Sequence, residues 1–128
     1  EAIALALGLY KLMPKAIALR QFAEQPDERF ISGLPEKEIK ILRRLFKHGR
    51  RAGFAQGIVV CHSTPDVWVP SKFAGWDAIE PCPPPEAKYR IGRTMFETDT
   101  LPSDWVQRCN RMDEIWVPTS FHKESFTA

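Results

Sequence analysis

A chain of 128 residues has room for one hydrophobic core and not for two full α/β domains, since a domain takes about 100 to 200 residues. Its 44% hydrophobic and 27% charged residues lie near the usual balance of a globular protein, which agrees with an α/β domain and excludes little else. A net charge of +2, from 18 basic and 16 acidic groups, is too small to imply a nucleic-acid partner, and none is expected.

In chain order, Glu1 to Met13 reads as a helix that starts inside an apolar run without a capping residue, and Pro14 breaks it. Ala16 to Phe22 reads as a strand, and Glu24 to Glu28 as a polar turn. Residues 35–48 form an amphipathic helix, with Ile39, Leu42, Leu45 and Phe46 at helical spacing among Lys40, Arg43, Arg44 and Lys47, and Arg50 and Arg51 following. Its ordinary role is to cover a sheet and leave the basic face in water; the sharper role for residues 40–51 is weak contact with an anionic membrane surface or a phosphorylated acceptor. Gly57 opens Ile58 to Cys61, a β-branched run of the kind found in strands buried on both faces. Residues 63–88 carry Pro65, Pro70, Pro81, Pro83, Pro84 and Pro85 with Trp68 and Trp76, which makes an extended loop leaving a strand end.

Tyr89 to Phe96 suits a pleated surface, and the polar Glu97-Thr98-Asp99 ends the strand at Glu97. Pro102 fits a first helical turn, and Trp105, Val106, Cys109 and Met112 recur along one helical face. Asp113 and Glu114 lead into Ile115-Trp116-Val117, a short buried strand bounded by Pro118. Thr119 or Ser120 then caps a helix carrying Phe121 and Phe126. Alternation of β and α elements implies a mostly parallel sheet with right-handed crossovers, a Rossmann-like three-layer α/β/α arrangement.

The run GRTMFETDTLPSDWVQRCNRMDEIWVPTSFHKESF closely resembles the amino-terminal domain of family-four glycosyltransferases of the two-Rossmann (GT-B) type. The likeness is specific over roughly the last third of the chain, because several unrelated positions match in register. His62, in VVCHSTPDVW, resembles the strand-end histidine that such enzymes place in the acceptor site; residues 1–57 match only in the order of elements. The resemblance implies that residues 1–128 are a partial acceptor-side domain, with the first strand and the carboxy-terminal donor-binding domain outside the chain. It implies transfer of a sugar from a nucleotide-sugar donor to an acceptor hydroxyl with retained configuration, without cofactor or obligatory metal. The competing readings are a non-catalytic remnant or sugar-binding module, and an unrelated α/β enzyme with a nucleotide ligand.

In open parallel sheets the chemistry lies in the crevice beyond the carboxyl ends of the strands, where His62, Glu97 and Thr119 fall. His62 is the candidate catalytic residue, able to hydrogen-bond a sugar hydroxyl or phosphate or to act as a base. Glu97, Thr119 and Trp68 are the candidate acceptor-binding residues. Their ordinary roles are turn capping, helix capping and packing. Arg93 serves as a salt-bridge partner of Glu97 or as a phosphate ligand. Asn110 and Asp113, which match the family run, are expected to fix a helix–strand junction.

Cys61 and His62 are adjacent, so on a strand they point to opposite faces, which disfavours a thiolate–imidazole pair. His48, His62 and His122 lack ligand-like spacing, and neither GxxxxGK[ST] nor GxGxxG is present. Three cysteines without a CxxC pair leave an odd thiol, which fits a reducing compartment and a cytoplasmic setting.

Overall fold

The computed structural model describes residues 2–20, 27–50, 56–75 and 81–127. They belong to two compact units, Glu1–Phe54 and Ala55–Ala128. Arg51, Trp76 and the parts of the expected strand and turn between 21 and 26 lie outside the described residues.

The first unit holds α1 (Ala2–Leu12), α2 (Glu28–Ser32) and α3 (Glu36–Gly49). α1 ends where the Met13 N–H donates to the Leu9 carbonyl at 2.8 Å, one residue before Pro14. α2 starts inside the expected polar turn: Asp27 Oδ1 accepts from the Arg29 and Phe30 N–H groups at 2.9 and 3.4 Å, an N-cap that makes a helix of the residues after it. α3 has the predicted amphipathic form, with Leu42 and Leu45 at 0% exposure and acids in its first turn opposite Lys47 and His48 in its last.

Residues 16–20 are not a strand, contrary to the expectation for Ala16 to Phe22. Their polar groups bond to α3 instead of to a strand: the Leu19 N–H donates to the Leu45 carbonyl at 3.0 Å, Arg20 Nε to the Gly49 carbonyl at 2.6 Å and His48 Nδ1 to the Ile17 carbonyl at 3.3 Å. The approach is close enough that a Cβ on Gly49 would strike the Leu19 carbonyl.

Among its described residues the second unit is built on three strands, β1 (Ile58–His62), β2 (Tyr89–Arg93) and β3 (Glu114–Trp116), in the order β1-β2-β3 and all parallel. α4 (Ser103–Cys109) connects β2 to β3, and α5 (Ser120–Thr127) follows β3. The α/β class and parallel pairing are those expected from the alternation of elements. β1 and β3, however, are not buried on both faces: Ile58 is 71% exposed and Trp116 37%, while Cys61 is 1% exposed. β2 ends at Arg93 and not at Glu97, so Glu97 stands in the connection beyond the strand.

The main core cluster lies on the Gly92 face of the sheet, and Ile91, 4% exposed, is buried on the other face. Cys61, Trp68 and Met112 form the cluster, with Val59, Val67, Cys82, Cys109 and Ile115 packed around them. Trp68 lies on Gly92, where a Cβ would collide with the indole Cη2 and come within 2.7 Å of Cζ3. That contact is why a glycine occupies the fourth position of β2. On α4 the expected apolar face is rotated: Trp105 is buried and Val106 is exposed, while Arg108 is buried and donates from Nε to the Pro70 carbonyl at 2.8 Å. On α5 the inward residues are His122 and Ser125, and Phe121 is exposed.

A polar staple sets the β2–β3 register. The Asp113 N–H donates to the Arg90 carbonyl at 2.8 Å, and the Arg90 N–H and Nε donate to Asp113 Oδ2 at 2.8 and 3.1 Å. Asp113 thus fixes the helix–strand junction. Hydrogen bonds from Arg90 hold its carboxyl below the usual range, and the bond from Lys72 does the same for Asp104. Carboxyls depressed in the folded state contribute stability above their unfolded pKa and lose it as pH falls through the folded one. The urea midpoint of the chain is therefore expected to fall on acidification below about pH 4, with a shallower fall in the Asp113→Asn variant. Equal slopes in the two proteins would show that the staple carries none of the acid sensitivity.

Candidate functional site

The parallel register places His62 opposite Arg93 and Arg93 opposite Trp116, at the carboxyl end of each strand. Paired residues of neighbouring strands share a face, so the three side chains form a row at the carboxyl edge. Arg93 Nη1 lies 2.9 Å from His62 Nδ1 and 3.3 Å from Nε2. A guanidinium only donates, and with both ring nitrogens within 3.3 Å the Arg93 side chain lies against the imidazole and holds it at the strand end.

The next residue adds a second feature. Thr94 is 7% exposed, its N–H donates to the Trp116 carbonyl at 3.1 Å, and its Oγ1 has no hydrogen-bond partner among the described residues. A buried hydroxyl without a partner at a strand end is costly unless something else satisfies it. Its signal in the sequence is only its place at the end of a β run.

The other expected residues are placed differently. Thr119 is exposed and caps α5, with Oγ1 accepting the His122 N–H at 3.4 Å and lying 2.6 Å from His122 Nδ1. It follows β3 at the same edge, in its ordinary role. Glu97 is exposed, four positions past the end of β2. Trp68 is corrected outright: it is 0% exposed, its Nε1 donates to Ser63 Oγ at 2.9 Å, and it lies on the Gly92 side of the sheet. Gly92 and Arg93 present opposite faces, so the indole is under the sheet and away from the His62–Arg93 row.

The connection after β1 is braced in two ways. Cys61 and Cys82 form a disulfide, which departs from the reducing setting expected from the odd thiol count. Lys72 Nζ bridges Asp66 Oδ1 at 2.9 Å and Asp104 Oδ2 at 2.6 Å, while Trp105 Nε1 donates to Asp66 Oδ1 at 2.9 Å and Arg108 Nη1 bonds Asp104 Oδ2 at 3.2 Å. These bonds tie the start of the loop to α4. Hydrogen bonds donated to Asp104 and Asp66 raise the Lys72 pKa. Cys109, the remaining thiol, is pushed up to about 11 by burial, which makes it a poor nucleophile. No group of three or more potential metal ligands is found among the described residues.

Comparisons of the chain with family models, with curated proteins and with solved structures find no match.

Proposed function

We propose that this chain is the acceptor-side part of a GT-B glycosyltransferase, which in its complete form moves a sugar from a nucleotide-sugar donor to an acceptor hydroxyl with retention and without a metal. The observation that carries the reading is the His62–Arg93 pair at the carboxyl edge of a parallel sheet, where such folds bind ligands. The GRTMFETDTLPSDW…DEIWVPTSF resemblance supports it independently. In this role His62 hydrogen-bonds the acceptor hydroxyl and orients it, while Arg93 holds the ring. The Thr94 hydroxyl lies at the same strand end. A donor domain outside this chain would bind the diphosphate through helix N-termini and basic side chains.

The Cys61–Cys82 disulfide weighs against the cytoplasmic setting suggested by the odd thiol count, because such bonds persist in oxidising compartments. No helix among the described residues is long and apolar enough to cross a membrane.

The test is to express the whole product of the transcript that carries this segment and to assay a panel of nucleotide sugars with carbohydrate and lipid acceptors. Transfer is expected from the whole product and not from the 128-residue chain. His62→Ala is expected to lower kcat/KM by about a hundredfold, the scale of a misplaced reactant. Transfer by the 128 residues alone would overturn the division of labour, and nucleotide binding by them alone would favour an unrelated nucleotide enzyme. A product that lacks a second Rossmann domain and transfers nothing would favour a sugar-binding module.

A further inference from the structure

The modest net charge of the chain conceals a strong asymmetry. Glu1–Phe54 carries 11 basic and 6 acidic residues, a net +5, whereas Ala55–Ala128 carries 7 basic and 10 acidic, a net −3. Within the first unit the positive charge is ordered. Lys37, Lys40, Arg44 and Lys47 follow one another at helical spacing, so at 3.6 residues per turn they occupy an arc of about 80°. All four are exposed, on the side of α3 opposite the buried Leu42 and Leu45.

Nearby acids do little to neutralise this stripe. The Lys40–Glu36 pair is 2.9 Å long with side chains 75% and 82% exposed, the kind of pair that contributes little. The Arg43–Glu28 pair at 3.0 Å flanks the stripe and holds α2 beside α3. Lys37, Arg44 and Lys47 form no ion pair among the described residues.

The same unit exposes large apolar side chains beside cations. Phe30, on α2 next to Arg29, is 54% exposed; Leu12 and Met13, between Lys11 and Lys15, are 79% and 44% exposed. A soluble polyanion would engage the cations and leave these groups in water. An anionic bilayer satisfies both, taking the cations at its headgroups and the apolar side chains just below them.

We propose that the Lys37–Lys40–Arg44–Lys47 face of α3, together with the exposed Phe30 of α2, docks on the surface of a membrane containing anionic lipid. The docking is peripheral and is independent of the glycosyltransferase reading.

The test is co-sedimentation of the 128-residue chain with vesicles of phosphatidylcholine alone and of phosphatidylcholine with phosphatidylglycerol in a two-to-one ratio, at about 0.1 M salt. Binding is expected to the mixed vesicles and not to the neutral ones. Lys40→Gln, Arg44→Gln and Lys47→Gln together are expected to weaken it about a hundredfold, at roughly fivefold per basic side chain. These side chains are exposed, and an unchanged circular dichroism spectrum confirms that the fold is kept. Phe30→Ser is expected to weaken binding while leaving its salt dependence in place. Sedimentation with neither vesicle, or equally with both, would overturn the proposal. So would tighter binding to double-stranded RNA than to the mixed vesicles, which would assign the stripe to a soluble polyanion.

Discussion

Replacing Trp68 with alanine is expected to cost the second unit about 4 kcal/mol, the range for deleting a large buried aromatic. The indole is 0% exposed, it fills the space over Gly92, and it touches the core of Cys61 and Met112. Its removal leaves a cavity too rigidly walled to collapse, because the sheet lies on one side and the braced loop on the other. It also removes the donor that bonds Ser63 Oγ. Gly92→Val probes the same contact from the other side and is expected to cost about 1 to 3 kcal/mol by overpacking. The double variant should cost less than the sum, since the valine enters the space the indole vacates. Urea denaturation of the four proteins measures each term. A loss below about 1 kcal/mol for Trp68→Ala would mean that the ring is not a core residue in solution, and sugar stacking would again be open to it.

Breaking the Cys61–Cys82 bond is expected to cost about 3 kcal/mol. The two residues are 21 apart in sequence, and closing a loop of that size removes chain entropy from the unfolded state on this scale. Cys82→Ser is the suitable variant, because Cys82 is half-buried and Cys61, at 1% exposure, would bury a new hydroxyl. The expected result is a lower urea midpoint for Cys82→Ser, matched by the wild-type chain in reductant. A thiol titration of the oxidised native protein should count one slow group, Cys109. Coincident unfolding curves with and without reductant, together with three titrating thiols, would show that the bond does not form.

The elements whose signal is periodic were legible in the sequence. α3 announces itself by apolar residues at helical spacing, β1 by a β-branched run, and α4, β3 and α5 by caps and prolines at their boundaries. α2 was hidden because five residues are too few for periodicity, and only the Asp27 cap marks it. Residues 16–20 have strand-like composition, but their hydrogen bonds go to α3, a tertiary choice that local propensity does not encode. At the site, the position of His62 was readable from the end of the apolar run. Its bond to Arg93 depends on parallel register, which brings together residues 31 apart in sequence. Trp68 misled because aromatic residues in a proline-rich loop look available to a ligand. What buries this one is a glycine on a different strand.

The Arg90–Asp113 staple also constrains which substitutions this fold can accept. Opposite charges on neighbouring strands can often be exchanged, because an ion pair reads the same in both directions. This one has a direction. The Asp113 carboxylate accepts a backbone N–H as well as the guanidinium, and its own N–H returns a bond to the Arg90 carbonyl. Exchanging the two side chains would preserve the attraction but replace the carboxylate facing the β2 backbone with a group that has no acceptor. Variation at these two positions is therefore not symmetric: the acid must stay on the β3 side, and drift at either site leads away from the parallel pairing and not around it.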